Sequence, residues 1–215
     1  RVQWLPLRLE QKAEVLAAAV LPKGLHAALS VRLPRRRLNA LRAACTTALW
    51  GRGRSRRCQE LVSCLVVRGH RVDPRMALTL QRLAQIRKWC QEDGDLAVVF
   101  ERAWELERHL APGRHAAAAR GPAGLAWQEV ESLGWSWRTS PWRLDRSEAD
   151  PVPLVGGPNG FFAHEVREGI RQRELSAAAR RRPRLQGVEA VDRRAVYAAL
   201  KWGTYKNKDV TAYQR

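Results

Sequence analysis

The chain has 215 residues, 45% of them apolar, and a formal net charge of +18 from 39 Lys/Arg against 21 Asp/Glu. That is enough for a packed core in one or two domains, but no apolar run reaches the ~20 residues that span a bilayer, and no basic-then-apolar leader opens the chain. With no Asp-Asp pair, Gly-rich phosphate loop or Ser/His/Asp grouping, the composition argues against an enzyme acting alone and for a chain that holds a polyanion.

Of the cations, 33 are arginine, and isoleucine occurs only at Ile86 and Ile170. A GC-rich coding sequence accounts for part of that bias, but it does not dictate the shortage of acids. The charge is also uneven. Residues 1–75 hold 16 Lys/Arg against 4 acids, residues 76–135 hold 7 against 8, and residues 136–215 hold 16 against 9. Two basic regions therefore flank a near-neutral middle. The chain opens at Arg1 and its one methionine is Met76, so it reads as a piece of a longer polypeptide. Four scattered cysteines (Cys45, Cys58, Cys64, Cys90) suit unpaired thiols in a reducing, intracellular setting.

Along the chain, Leu9, Ala13, Leu16 and Val20 recur at helical spacing until Pro22-Lys23-Gly24. Pro34 opens a second helix with Leu38, Leu41, Cys45 and Leu49 on its apolar side, and Arg35, Arg36, Arg37 and Arg42 are expected on the other. Gly51 to Arg57 reads as a basic loop carrying Arg52, Arg54, Arg56 and Arg57. A short helix near Cys58–Val67 stops at Gly69, and Asp73-Pro74 is a helix start. From there Met76, Leu80, Leu83, Ile86/Arg87 and Cys90 form one stripe. Gly94-Asp95 restarts the helix, and Leu96, Val99, Ala103, Leu106 and Leu110 form the cleanest seam.

Pro112–Gly124 reads as a linker. Beyond it a short helix, Leu125–Leu133, leads into a hairpin expected between Trp135–Trp142 and Val152–Val155. Phe162, Val166 and Ile170 begin another helix, and Asp192 caps a last one. The fold class is therefore mainly α, an antiparallel helical bundle followed by a short hairpin and further helices. The expected division is a basic bundle over 1–111, a linker over 112–124 and a helix-hairpin-helix connector over 125–215.

Arg35–Arg37 with Arg42, Arg52–Arg57 and Arg180-Arg181-Arg182 are the candidate nucleic-acid contacts, because guanidinium pairs bidentately with phosphate and each neutralised phosphate releases counterions. With about six phosphates neutralised, log affinity should fall with log salt at a slope of roughly −5. Trp50, Trp89 and Trp104 lie on apolar stripes and read as core. Trp135, Trp137 and Trp142 alternate near arginines and invite base stacking, but a hairpin laying them on the preceding helix is the simpler reading. Cys58, Cys64 and His70 lack the close pairing that zinc sites use. No catalytic residue, metal or cofactor is expected in this segment.

One ordered set of segments is more specific. Leu21-Pro22-Lys23-Gly24-Leu25-His26-Ala27 is followed by Leu41-Arg42-Ala43-Ala44, then Ala48-Leu49-Trp50-Gly51, then Gly69-His70-Arg71-Val72-Asp73-Pro74, and further on by Leu133-Gly134-Trp135 and Ser140-Pro141. This order resembles the region just after the polymerase core in reverse transcriptases of LINE-type (non-LTR) retroelements, over about residues 5–145. That family shows LP-x-x-L-Y-G, ALWG, GH-x-x-DP and W-x-x-x-SP; here His26-Ala27 stand in place of Tyr-Gly. The family's Tyr-x-Asp-Asp signature, its other metal-binding aspartates and a complete RNase H set are absent. The resemblance implies a thumb-like and connecting segment that grips the template–primer duplex (RNA or RNA–DNA) and cannot copy RNA alone. It also implies an upstream polymerase domain of the same chain as a partner. A stand-alone basic helical RNA-binding or scaffold protein, and a decayed retroelement remnant, remain the alternatives.

Overall fold

The computed structural model describes residues 2–50, 58–109, 121–182 and 185–186, and helices dominate them. After a 3₁₀ turn, Val2–Trp4, α1 (Leu9–Val15) runs through a π turn (Leu16–Val20) into α2 (Leu21–Gly24). The helical run thus passes through Pro22 and ends at Gly24, the last residue of the expected stop. The Leu21 amide donates to the Leu16 carbonyl five residues back, a wider turn placed just before a residue that brings no N–H and crowds the preceding turn. α3 (Arg35–Trp50), α4 (Gln59–Leu61), a second π turn (Val62–Val66), α5 (Gly69–Val72), α6 (Pro74–Glu92) and α7 (Gly94–Arg108) follow. Then come α8 (Gly121–Ser132), a hairpin of β1 (Arg143–Leu144) and β2 (Val152–Pro153), and α9 (Asn159–Arg181).

α6 organises the packing. Asp73 caps it as the sequence expects, its Oδ1 accepting from the Arg75 and Met76 amides at 2.9 and 3.4 Å. One side of α6 (Met76, Leu83, Ile86, Cys90) packs with Phe100 and Trp104 of α7, Ala126, Trp127 and Val130 of α8, and Phe162, Val166 and Ile170 of α9. Its other side, Ala77 and Leu78, joins Leu16, Leu21, Leu25, Cys45 and Leu49 in a second core. A helix apolar on two sides needs cover on both, so the first core draws on residues from either side of the expected linker. The bundle-and-connector division at 112–124 does not describe the packing. Residues 121–124 belong to α8, whereas 112–120 and the helix expected from Asp192 lie outside the described residues.

Two expected faces also shift. Asp93, not Asp95, caps α7, accepting the Leu96 amide at 3.0 Å. On that helix Phe100 and Trp104 turn inward, leaving the seam residues Leu96, Val99 and Leu106 exposed at 41, 59 and 77%. The period was right and the choice of face was not, because two large rings four residues apart bury more area than the aliphatic row beside them. The hairpin exists, but its strands pair Arg143 with Pro153 and Leu144 with Val152. Upstream, only an isolated bridge joins Ser136 to Asp145, because the intervening chain turns Trp137 into the core, where its Nε1 donates to the Pro141 carbonyl at 3.2 Å. Gly169 of α9 permits the next contact: a Cβ there would stand 2.6 Å from the Trp135 ring.

Candidate nucleic-acid interface

α3 starts immediately after Pro34, whose carbonyl accepts the Leu38 amide at 3.1 Å. Its first turn is Arg35-Arg36-Arg37 and contains no acid. All three are exposed, and none makes a side-chain hydrogen bond or ion pair with another described residue. A helix N-terminus already carries about half a positive charge on its unbonded amides. Folding stability calls for Asp or Glu there; three guanidiniums instead add like charge at the end of the helix that attracts an anion.

Arg42 does not belong to this face. It follows Leu38 by four residues and precedes Cys45 by three, which is core-facing spacing, and it is only 5% exposed. Its Nε donates to Asp73 Oδ2 at 2.6 Å, its Nη2 to Glu174 Oε2 at 2.8 Å and its Nη1 to Glu60 Oε1 at 3.4 Å. Burial alone would disfavour its charge, but the three carboxylates outweigh that and raise its pKa. Arg42 ties α3, α4, α9 and the cap of α6 together and, buried among three carboxylates, is not presented to a nucleic acid. Two more arginines serve the same way. Arg82 donates to the Ala28 carbonyl through Nε and Nη2 at 3.0 and 2.8 Å. Arg87 donates to the carbonyls of Pro153, Leu154 and Gly157 at 2.8, 2.9 and 2.8 Å and stands 4.9 Å from the Phe162 ring.

Arg180, Arg181 and Arg182 are exposed at the last turn of α9 and just beyond it. Arg181 Nη2 pairs with Glu60, and its Nε donates to the Ala177 carbonyl at 3.2 Å. Arg52, Arg54, Arg56 and Arg57 lie outside the described residues. No protein-family model, curated protein or solved structure matches the chain. The site must therefore be judged on its own chemistry.

Beside the α3 cluster opens a cavity of about 420 Å³ whose wall includes Arg32, Arg35, Arg75, Arg82 and Arg173, with Glu129 its one carboxylate. Sequence reasoning missed this grouping because it is assembled from single arginines on separate helices rather than from a run. The available signal was the seven-residue spacing of Arg75 and Arg82, which puts both on one side of α6. The tryptophans from Trp104 to Trp142, by contrast, are occupied, whereas Trp4 is exposed. Trp104 and Trp127 stack at 6.0 Å, Trp127 and Trp137 lie 5.5 Å apart, and Trp135 and Trp142 are half-buried against the same core. None of these rings is a base-stacking platform.

The four thiols are free and buried, and burial first of all pushes Cys45 and Cys90 up to about 11 and Cys64 to about 12. At neutral pH they are not nucleophiles. Among the described residues no group of His, Cys, Asp and Glu is arranged to hold a metal ion, and no helix is long and apolar enough to cross a membrane.

Asp73, Gly69 and Ala27 each have a structural role. Asp73 caps α6 and binds Arg42, and its Oδ2 also accepts the Ser63 hydroxyl at 3.2 Å. Gly69 sits where a Cβ would run into the Met76 sulfur and the Ser63 carbonyl. Ala27, which stands at the glycine of the LP-x-x-L-Y-G pattern, has φ of 61°, a left-handed conformation that favours glycine.

Proposed function

We propose that this chain binds nucleic acid through the phosphate backbone, with the first turn of α3 as its principal contact. In this reading it is the post-polymerase segment of a LINE-type reverse transcriptase, gripping a template–primer duplex whose chemistry is done elsewhere in the parent protein. The observation that carries the reading is Arg35-Arg36-Arg37: an exposed trio with no partner among the described residues, set against the helix dipole, a placement that costs stability and that an external anion would offset. A backbone grip needs no base-edge contacts and gives sequence-independent binding, which agrees with the packing of Trp135, Trp137 and Trp142 against the core. Ala27 lends support to the family reading, because a glycine-type turn persists where the residue is no longer glycine.

The test is fluorescence anisotropy of labelled RNA and RNA–DNA duplexes across a salt series. A slope of log affinity on log salt of about −5 is expected for roughly six phosphate contacts; a slope near zero rejects the reading. A stand-alone basic RNA-binding protein is favoured by one feature: both cores close within this chain around α6. The coding sequence upstream separates the two readings. A metal-binding aspartate pair in frame supports the polymerase fragment, and its absence supports the independent binding protein.

A further inference from the structure

The arginine-walled cavity has a property that the exposed trio lacks: one of its cations, Arg75, is partly drawn out of water with no hydrogen-bond or ion-pair partner for its guanidinium among the described residues. Arg82 is satisfied by the Ala28 carbonyl and by Glu129 Oε1 at 2.6 Å. Arg173 Nη1 donates to the Ser132 hydroxyl at 2.7 Å and to the Thr79 hydroxyl at 3.2 Å, with Glu129 Oε2 at 3.7 Å. Glu129 is shared between these two arginines, and its Oε2 also accepts the Thr79 hydroxyl at 2.6 Å. Nothing in the wall is left for Arg75. Its guanidinium is half-buried and makes no hydrogen bond or ion pair with another described residue. Burial first, and the neighbouring Arg42 and Arg173 after it, push its pKa down against the pull of Glu174 and Asp73.

A partly desolvated guanidinium whose nearby carboxylates are bonded to other groups is better satisfied once a further anion completes the site. Arg35 and Arg75 both line the space and bring planar forks of N–H donors suited to a tetrahedral oxyanion. Asn39 and Arg173 supply further donors in the same wall. We infer that this cavity is a binding site for a phosphate group, held chiefly by Arg75 and Arg35. The identification of that phosphate as one of a bound strand's own rests on the nucleic-acid reading above; a free polyphosphate is the same chemistry from another source.

The experiment uses the 215-residue chain and two probes. Inorganic pyrophosphate is titrated while the thermal midpoint is followed, and a labelled oligoribonucleotide is titrated by anisotropy. Pyrophosphate is expected to raise the midpoint of the wild type. Arg75→Gln should weaken pyrophosphate binding by about tenfold or more, and oligonucleotide binding by several-fold with a salt slope shallower by about 1. Arg75→Lys, which keeps the charge but loses the fork, should fall between them. Arg36→Gln with Arg37→Gln should weaken the oligonucleotide and leave pyrophosphate unchanged. Without ligand, Arg75→Gln should change stability little, since burial and the repulsion of Arg42 and Arg173 oppose the attraction of Glu174 and Asp73.

Pyrophosphate binding that depends on Arg75, in a chain that ignores the oligonucleotide, upholds the cavity with a free polyphosphate and removes the nucleic-acid reading. Oligonucleotide binding through Arg36 and Arg37, with pyrophosphate inert or equally bound by Arg75→Gln, overturns the cavity site and leaves that reading intact. A ligand-free Arg75→Gln protein that loses stability and binds pyrophosphate as the wild type does makes Arg75 a structural support and likewise overturns the site.

Discussion

The chain carries the same tripeptide, Arg-Arg-Arg, at two helix termini of opposite sign. At residues 180–182 it occupies the C-terminal end of α9, where the backbone carries partial negative charge and cations are stabilising. There Arg181 also reaches a carboxylate, Glu60, so the arrangement accounts for itself without a ligand. At residues 35–37 the triplet occupies the positive end of α3, with no acid in the turn and no partner among the described residues. Identical composition therefore has opposite energetic meaning at the two sites. Arginine content becomes evidence for binding only after the local backbone field and the internal carboxylates have been accounted for, and here that accounting leaves one triplet of the two.

The sharpest way to break this comparison is at the junction between the two ends. Glu60 receives both Arg181 and Arg42, and Arg42 reaches α3, α9 and the cap of α6 at once. Arg42→Ala leaves Asp73, Glu174 and Glu60 facing one another in the interior, and it should lower stability by about 3–5 kcal/mol, read as a fall in the urea midpoint at neutral pH. If Arg42→Ala instead kept its midpoint and lost only nucleic-acid affinity, Arg42 would belong with the surface contacts after all.

The next effect is the contrast itself. Replacing Arg35, Arg36 and Arg37 by Gln should reduce oligonucleotide affinity by roughly one to two orders of magnitude and make the salt slope shallower by about 1 per lost contact. Stability should stay level or rise by a few tenths of a kcal/mol, since like charge leaves a positive helix end. The same replacement at 180–182 should do the reverse, lowering the urea midpoint and leaving affinity nearly unchanged. Equal losses of affinity from both triplets would make the helix ends irrelevant and return the argument to charge alone.

A smaller effect concerns the loop that delivers the α3 cluster. Arg82 anchors its Ala28 carbonyl, and Ala27 beside it is held left-handed. Ala27→Gly relieves a strain of about 1–2 kcal/mol and concedes part of it to the freer unfolded chain. A net gain of up to about 1 kcal/mol is expected by urea unfolding, with affinity unchanged. A loss would show that this turn is not strained and would remove the support it lends to the family reading.

Helix periodicity, the Asp73 cap and the central α6 stripe were legible in the chain because each is local: spacing and a capping side chain act within a few residues. The face of α7 was not, since which of two adjacent apolar rows is buried depends on what α8 and the hairpin offer it. Arg42 was misplaced for a related reason. A charged side chain at a core position is recognisable only once its carboxylates are seen converging, and Glu174 lies 132 residues away. The exposed trio at Arg35–Arg37 was readable as a run, whereas the Arg75 cavity was not, because its cations meet only through tertiary packing.

The smallest effect bears on Arg181, the one member of either triplet paired with a carboxylate among the described residues. Its side chain is 62% exposed, so at pH 7 the pair should be worth under about 1 kcal/mol. Burial opposes ionisation of Glu60, but its own backbone amide, the Cys58 thiol, Arg181 and Arg42 outweigh it and hold the carboxyl below its ordinary 4.5. A folded value below the unfolded one means that stability from Glu60 is complete above 4.5 and is lost as the pH falls through the folded value. The stability difference between wild type and Arg181→Gln should therefore be present at neutral pH and shrink as the pH falls below 4.5 through the folded value. The corresponding difference for the 35–37 triplet should not move over that range, because no carboxylate sits in that turn. A constant Arg181→Gln difference across the acid range would mean that Glu60 does not feel Arg181, and that the α9 triplet lacks an internal partner just as the α3 triplet does.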